Sequence, residues 1–298
     1  MRDTYQNGSP AAAGDGAHHL KSLILGHSIR PRRTVLERAK QRALQHDAPS
    51  ADAQGVRIDL RTPRWQDLSL ALPGSKSRSA SVLQKSLARA DRDPTIRRAF
   101  DKLRTRLRQT AQEHNWTSIG VMGPTSGCGS TFVAVNLALS LSRVPGSRTL
   151  LMDMNMRSPA LADAFDVAVD GPMADFLSGH TPLGAHLVRT TETLALGLND
   201  EVEENPAEIL QDGATARTLE RMRAAIRPEI VIHDLPGMLT YDDATAFLPQ
   251  LDAVLLVSDG TQTLGRELKE CERLMQGHVP LLGVMLNRAR ADSITRYT

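Results

Sequence analysis

The chain reads SIGVMGPTSGCGST at residues 118–131, and this stretch predicts the fold. A short, mostly apolar run, typical of a buried strand, leads directly into a glycine-rich turn. A segment predicted to be an apolar helix, 131–141, begins where the turn ends. A strand, a glycine-rich turn and a helix in this order are the setting of a phosphate-binding loop. Gly127 and Gly129 let successive backbone N–H groups point inward as an anion nest, with the helix N-terminus behind it.

One position of this loop departs from the usual pattern. Thr131 stands where the hydroxyl of such a loop ligates Mg²⁺, and a lysine that grips the phosphates normally precedes it. Here the preceding residue is Ser130, which is short and neutral. A glycine-rich turn is also compatible with simple close packing of a strand on a helix, so the surroundings of the loop carry the interpretation. The residues predicted to contact a bound nucleotide in this region are Ser126, Gly127, Cys128, Gly129, Ser130, Thr131 and Phe132.

Strands and helices alternate after residue 117. Continuous apolar strands that alternate with amphipathic helices predict an α/β fold, a doubly wound and mostly parallel sheet with helices on both faces. Ligands of such sheets bind beyond the carboxyl ends of the strands. The predicted strands are 118–122, 149–152, 194–198, 229–233, 253–257 and 281–286. The predicted helices are 131–141, 214–225, 242–248 and 265–275.

A further helix is predicted before the first strand, at 95–111. Pro94 suits the first turn of a helix. Ile96, Phe100, Leu103 and Leu107 form one apolar stripe that faces a core, and the opposite side is rich in arginine.

Residues 1–92 differ from the rest of the chain in charge. They hold 16 Lys and Arg against 8 Asp and Glu, whereas the remainder holds 20 against 26, within a net charge of +2. We interpret them as a basic, largely disordered arm with a short amphipathic helix at 34–45. The arm is either a solvated tail or a contact region for anionic lipid, an acidic protein or nucleic acid. A domain at 93–290 and a short tail at 291–298 complete the predicted organisation.

The composition also excludes several classes of protein. Two cysteines, Cys128 and Cys271, provide neither a disulfide framework nor a CxxC zinc motif, which is typical of a reducing cytoplasm. The N-terminal residues lack the apolar core of a signal peptide, and the longest apolar runs are too short to span a bilayer. We therefore expect a cytoplasmic protein that reaches the inner membrane peripherally, through a partner.

Several motifs that occur in order make the chain similar to a known family. Over residues 95–290 it resembles the bacterial tyrosine kinases of exopolysaccharide and capsule synthesis, which are related to the MinD and ParA ATPases. The matching segments are AFDKLRT at 99–105, GPTSGCGST at 123–131, LLMDMNMRSP at 150–159, NPAEIL at 205–210, VIHDLP at 231–236 and GVMLNR at 283–288.

The resemblance implies a site for ATP or ADP with Mg²⁺. It assigns Asp153 and Asp234 to Mg²⁺ binding together with Thr131, and it places Asn287 and Arg288 at the end of a strand that approaches the adenine. Either aspartate is also compatible with a role as a helix cap or turn residue. The catalytic positions that the resemblance implies are Asp153, Asn155, Arg157 and Asp234.

Three departures from the family pattern fall on phosphoryl transfer. Ser130 replaces the lysine, Asn155 replaces an aspartate that is the candidate base, and Tyr297 stands alone where the family has a tyrosine cluster. Loss of one positioned charge at a transition state costs on the order of 10²–10³ in rate. We therefore expect retained folding, weak nucleotide binding and impaired or lost kinase activity. Arg157 or a basic group of a partner is a candidate substitute for the lysine, and Tyr297 is the candidate phosphoacceptor.

Three functions remain open on this evidence. The first is a polysaccharide-synthesis kinase, or its inactive descendant, that works with a membrane-embedded chain-length regulator or co-polymerase. The family's subunit contact implies a homo-oligomer formed through the 95–111 helix, although Arg98 and Asp101 replace two of its charged residues. The second is an ATPase of the MinD/ParA type, against which Thr125 counts because that class has a lysine there; nucleic acid is not expected as a partner. The third is a non-catalytic scaffold that binds its partner through the basic arm and the arginine-rich helix.

Overall fold

The structure, a computed structural model, describes residues 63–71, 81–168 and 171–289. Most of them form one α/β domain around an eight-stranded sheet. The strands are β1 (Ser69–Leu70), β2 (Ser118–Met122), β3 (Thr149–Asp153), β4 (Leu187–Arg189), β5 (Leu194–Gly197), β6 (Ile230–Asp234), β7 (Ala253–Asp259) and β8 (Leu281–Asn287).

Ten helices surround the sheet in the described ranges. They are α1 (Val82–Arg92), α2 (Pro94–His114), α3 (Ser130–Ser142), α4 (Leu161–Phe165), α5 (Met173–Leu177), α6 (Leu183–His186), α7 (Pro206–Gln211), α8 (Gly213–Ile226), α9 (Asp243–Phe247) and α10 (Gly265–Met275). None of these helices is long and apolar enough to cross a bilayer.

The strand order is β1-β4-β5-β3-β6-β2-β7-β8. All neighbouring strands run parallel except β4 and β5, which are antiparallel. β2 lies between β6 and β7. The loop that follows β2 therefore leaves the sheet away from its two edges. The predicted fold, a mostly parallel and doubly wound sheet, is confirmed.

Two hydrophobic cores lie on the two faces of the sheet. Successive residues of one strand alternate between them, since Leu150 and Met152 join one core and Leu151 joins the other. One core is covered by α5 and α7–α10, and the other by α2–α4. This alternation follows from the pleat of a strand, and it explains why the central strands are apolar on both sides.

The apolar stripe predicted for 95–111 lies on α2. Phe100 and Leu107 are buried against α3, while Asp93 caps the helix by accepting hydrogen bonds from the N–H groups of Thr95 (2.8 Å) and Ile96 (3.4 Å). A left-handed Asn115 ends the helix. The helix therefore extends from a side-chain cap to a left-handed residue, slightly beyond the predicted bounds.

The boundary predicted at residue 93 needs a correction for the described parts of the arm. Trp65 is buried and its indole N–H donates to the Glu192 carbonyl at 2.8 Å, and β1 extends the sheet beside β4. The helix α1 packs on α2, α3 and α4. β1 has only two residues and therefore no periodic signal, whereas α1 is amphipathic and was missed within the predicted arm. The predicted helix at 34–45 lies outside the described residues.

Candidate nucleotide site

The central strands bring their carboxyl ends together at one edge of the sheet. Asp153 at the end of β3 is the register partner of Asp234 at the end of β6, and Asp234 is in turn aligned with Val121 of β2. The loop Gly123–Gly129 leaves β2 at this point and leads into α3. The parallel register alone thus places the two aspartates beside the glycine-rich loop.

The loop has the backbone conformation of an anion nest. Gly127 and Gly129 have φ values of 83° and 88°, in the left-handed region that favours glycine. Among the described residues, the N–H groups of Gly127, Cys128 and Gly129 have no hydrogen-bond partner. The 13-residue helix α3 begins directly after them and contributes the positive end of its dipole. Such an arrangement binds a phosphate through backbone N–H groups.

The segment after β6 supports the loop from one side. The N–H groups of Met238 and Leu239 donate to the carbonyls of Gly123 (3.0 Å) and Pro124 (2.8 Å). A Cβ at Gly237 would lie 2.6 Å from the carbonyl carbon of Thr125, so only glycine allows this close approach.

The end of β8 supports the loop from the other side. The Asn287 amide donates to the Cys128 carbonyl at 2.9 Å, and the Arg288 guanidinium donates to the Gly127 carbonyl at 2.9 Å. In this structure Asn287 thus contacts the loop itself, and its predicted approach to an adenine stays a prediction.

Asp153 is fully buried, and only one of its two carboxylate oxygens accepts hydrogen bonds from the described residues. Its Oδ2 accepts hydrogen bonds from the N–H groups of Ala160 (3.0 Å) and Leu161 (2.9 Å), at the start of α4. Its Oδ1 has no partner among the described residues. Burial raises the pKa of Asp153 to about 7, against the effect of these backbone N–H groups. One oxygen therefore caps the chain turn, and the other is left for a further ligand.

Asp234 is buried without any hydrogen-bond partner for either carboxylate oxygen in the described part of the chain. Burial, and then the neighbouring charge of Asp153, raise the pKa of Asp234 well above its usual range, and an interaction with the Thr131 side chain works in the opposite direction. Two adjacent buried carboxylates with three unpaired oxygens are costly to hold as anions unless a cation neutralises them.

These residues fit a Mg²⁺ ion. Carboxylate and hydroxyl oxygens are the hard ligands that Mg²⁺ prefers, and Mg²⁺ in such sites is usually held by one or two carboxylates, waters and substrate phosphates. Asp153, Asp234 and Thr131 supply this set beside the nest. Within the described residues no cluster of three or more His, Cys, Asp or Glu side chains forms an alternative metal site.

No protein-family model matches the chain. The chain is 28% identical over 200 residues to the putative tyrosine-protein kinase EpsB of Ralstonia solanacearum, an alignment that covers 65% of this chain and 26% of that protein. It is 30% identical over 177 residues to the succinoglycan biosynthesis transport protein ExoP of Rhizobium meliloti, covering 57% and 22% of the two chains. The chain spans about a quarter of the length of these curated relatives.

Solved structures show the same fold. The kinase domain of the Escherichia coli tyrosine kinase ETK superposes with a TM-score of 0.63 at 21% identity, covering 79% of this chain and 95% of that one. The BceF tyrosine kinase domain gives 0.58 at 25% identity, covering 74% and 93%. The chain is related to the bacterial tyrosine kinases. The predicted resemblance is confirmed by these matches, whereas the roles of the individual residues stay predictions.

The structure argues against Arg157 as a substitute for the missing lysine. Its guanidinium forms two hydrogen bonds with the carboxylate of Asp243 (2.7 and 3.1 Å) and a third with the Glu204 carbonyl (2.6 Å). It also stacks on the ring of Tyr241, 4.2 Å from the ring centroid. Asp243 is 1% exposed, so the pair is a structural bridge between the segment after β3 and α9. These three hydrogen bonds hold the Arg157 guanidinium in that bridge.

Phe132 also differs from its prediction. Its ring packs on the core beneath α2, edge-on to Phe100 at 6.2 Å between centroids. Only its backbone is therefore placed to contribute to the loop. Ser130, the first residue of α3, and Asn155, shortly after β3, are both partly exposed. The side chain of neither residue forms a hydrogen bond within the described part of the chain.

Several contacts that shape the site were not predicted from the sequence motifs. Gly237 and Met238 support the loop, as described above, and Asp259 binds Arg288 at 2.5 Å. The Cys128 thiol is buried between the hydroxyls of Thr125 and Thr263, each 3.6 Å away. Gly237, three residues after Asp234, is the one sequence feature that could have indicated the contact of this segment with the loop. The Asp259–Arg288 and Cys128–Thr263 contacts join residues 29 and 135 positions apart, which no local pattern reveals. Tyr297 lies outside the described residues.

Proposed function

We propose that the chain binds a nucleotide with Mg²⁺ as a module of the exopolysaccharide tyrosine-kinase type, with impaired or lost phosphoryl transfer. The observation that carries the proposal is the buried pair Asp153 and Asp234, in which three carboxylate oxygens have no hydrogen-bond partner among the described residues and the Thr131 side chain interacts with Asp234. Buried unpaired carboxylates are rarely kept without a ligand that offsets their cost.

Nucleotide binding is supported by the backbone of the loop. The unpaired N–H groups of residues 127–129 can receive the phosphates of ATP or ADP, and the two aspartates with Thr131 would hold Mg²⁺. When bound, Mg²⁺ neutralises charge on the phosphates. The protein supplies the nest, the helix dipole and the fixed carboxylates.

Impaired transfer is supported by what surrounds Ser130. Among the described residues, Arg288 is the sole cationic side chain that forms a hydrogen bond with the loop, and its acceptor is the Gly127 carbonyl. Arg157 is held by Asp243 and Glu204. Asn155 carries an amide, which cannot take a proton from a tyrosine hydroxyl at neutral pH. Position 130 thus has no cation of its own and position 155 has no base, which supports the proposed impairment of the transfer step.

The relatives supply the proposed setting. One is named a succinoglycan biosynthesis transport protein and another a putative tyrosine-protein kinase. We propose that this chain serves exopolysaccharide or capsule synthesis in the cytoplasm and reaches the inner membrane through a membrane-embedded chain-length regulator or co-polymerase.

Phosphotyrosine formation tests this function. The unaltered chain is incubated with Mg·ATP at saturating concentration, and phosphotyrosine is measured by mass spectrometry against an active bacterial tyrosine-kinase domain. We expect a level at least about 10²-fold below that of the active domain, from the loss of positioned charge. Rapid autophosphorylation, including at Tyr297, would show that the proposed impairment is wrong.

A second candidate function, a scaffold, is favoured by the surface of α2. Arg98, Lys102 and Arg106 are exposed and lie four residues apart, so they form one basic stripe. Asp101 is occupied within the chain by Arg104 (3.1 Å) and Arg143 (2.9 Å). A stripe of like charge suits an acidic partner better than a second copy of the same helix.

The scaffold is tested by retention on the cytoplasmic part of the proposed membrane partner. We expect retention without nucleotide, and its loss when Arg98, Lys102 and Arg106 are changed to Glu. Retention that requires Mg·ATP and survives these changes would contradict it.

A further inference from the structure

We infer that Asn287 and Arg288, consecutive residues at the end of β8, act as a clamp that orients the N–H groups of the phosphate-binding loop. The inference deepens the proposed nucleotide site and rests on that proposal. It assigns the two residues a positioning role, through the loop backbone, in a loop that has no lysine.

The clamp acts on two consecutive carbonyls. Arg288 Nη1 donates to the Gly127 carbonyl and Asn287 Nδ2 to the Cys128 carbonyl, both at 2.9 Å. In a planar trans peptide the C=O and the N–H of the same unit point in opposite directions. The two contacts therefore fix the N–H groups of Cys128 and Gly129 on the opposite side of the loop. These are two of the three unpaired N–H groups of the nest.

Arg288 is itself held in place. Its Nη1 also donates to Asp259 Oδ2 at 2.5 Å, and Asp259 is 1% exposed. Asp259 accepts two further hydrogen bonds from Thr261, at 2.6 and 2.8 Å. The Thr261 hydroxyl first, and then the Arg288 guanidinium, hold the pKa of Asp259 below its usual range, so it is an anion at neutral pH. A buried anion thus anchors the guanidinium that grips the loop.

The backbone at the clamp is also specialised. Arg288 has φ of 51°, in the left-handed region that non-glycine residues seldom adopt, and Asn287 Oδ1 accepts a hydrogen bond from the Arg288 N–H at 3.0 Å. Such conformations persist where surrounding contacts fix them. On the loop side, a side chain at Gly129 would collide with the Asn287 amide. The left-handed Arg288 and the glycine at position 129 therefore both favour the close approach of the β8 end to the loop.

Cys128 provides a reporter that does not depend on nucleotide. Its side chain is 3% exposed within the clamped loop, whereas Cys271 is a residue of α10 that is fully buried in the core. A small disulfide reagent should reach Cys128 when the loop opens locally, and Cys271 only when the domain opens as a whole.

The test compares the full chain with Asn287→Ala, Arg288→Ala and the double variant. Arg273→Ala is the matched control, because it removes an exposed arginine that pairs with Glu270 on α10, away from the loop. Labelling rates of the two cysteines are followed by mass spectrometry without nucleotide. We expect Cys128 to react about tenfold faster in the double variant, from the loss of two hydrogen bonds, with Cys271 unchanged. Arg288→Lys, which keeps the charge, should restore part of the protection.

A second readout links the clamp to binding. The affinity for Mg·ADP, measured by calorimetry, should fall about tenfold in the double variant and stay unchanged in Arg273→Ala. An unchanged Cys128 rate in the double variant would overturn the clamp, and so would equal acceleration of Cys271, which would mean that the pair only supports the fold. If the unaltered chain binds no nucleotide, the proposed function fails, while the Cys128 rates still decide the clamp.

Discussion

The two halves of the candidate nucleotide site are equipped differently. The Mg²⁺ half keeps Asp153, Asp234 and Thr131, although buried carboxylates with unpaired oxygens are costly. The half that would serve phosphate charge and proton removal has Ser130 and Asn155, which are neutral. A bound Mg²⁺ would offset the cost in the first half, while neither Ser130 nor Asn155 can supply the charge of the residues that they replace. The difference is the basis of our proposal that this chain binds a nucleotide but transfers phosphate poorly.

Restoring the neutral half should give the largest change. Ser130→Lys combined with Asn155→Asp reinstates a cation and a base beside an intact Mg²⁺ half. We expect phosphotyrosine formation to rise on the order of 10²-fold or more. The measurement is the rate of autophosphorylation with Mg·ATP, and the same double change in an Asp234→Asn background serves as control. An unchanged autophosphorylation rate would mean that more than these two substitutions separates this chain from an active kinase.

Removing Arg157 should affect stability rather than nucleotide binding. Arg157→Ala leaves the carboxylate of Asp243 buried and unpaired, which should lower the free energy of unfolding by about 3 kcal/mol. Arg273→Ala, which breaks an exposed pair, should change it much less, because solvent screens that pair. Denaturant unfolding measures both. A stable Arg157→Ala protein that has lost nucleotide affinity would place Arg157 back in the site.

The cost of the Mg²⁺ half should appear in the pH dependence of stability. Burial raises the pKa of Asp153 to about 7, so the native state binds an extra proton and loses stability as pH rises from about 4 to 7. Asp153→Asn keeps an oxygen that accepts the Ala160 and Leu161 N–H groups but does not titrate. Without Mg²⁺, we expect the unfolding free energy of the unaltered chain to fall by about 3 kcal/mol relative to this variant over that range.

The comparison with the variant reports this effect together with the part of the Asp234 pKa shift that depends on the charge of Asp153. The buried His186 and His233 have pKa values lowered to about 4 and about 3, mainly by burial, and they act with the opposite sign as pH falls below 6.5. Both proteins contain them, so their contribution cancels in the difference. A difference that does not change between pH 4 and 7 would contradict a buried, unneutralised carboxylate.

The smallest effect is expected at Ser130 itself. Its hydroxyl makes no hydrogen bond with the described residues, so Ser130→Ala should change the affinity for Mg·ADP by less than about threefold, a fraction of the value of one hydrogen bond. Calorimetry measures this. A loss of tenfold or more would show that the serine has acquired a binding role of its own.

Much of the fold could be predicted because its signals are local. Each of the six predicted strands is present, since the central strands are apolar along their whole length and are bounded by glycine or charged residues. Strands β1 and β4 were missed because two or three residues carry no periodicity. The order of motifs placed Asp153, Asp234 and the loop at one edge of the sheet, and the parallel register accounts for this.

The remaining features of the site depend on contacts that are distant in sequence. Arg157 resembled a candidate catalytic cation until its partner Asp243, 86 residues later, showed a structural bridge. The contact between Arg288 and the Gly127 carbonyl joins residues 161 positions apart. Side-chain partners at such separations are set by the packing of the whole sheet, which a single sequence does not encode in any local pattern.

The most direct test of the central claim is a calorimetric titration of the unaltered chain with ADP, with and without Mg²⁺. Asp153→Asn/Asp234→Asn is titrated in parallel. If the Mg²⁺ half is a working binding site, ADP should bind in the presence of Mg²⁺, and the variant should lose most of this Mg²⁺-dependent gain. Absence of binding in the unaltered chain, or equal binding with and without Mg²⁺, would contradict the account.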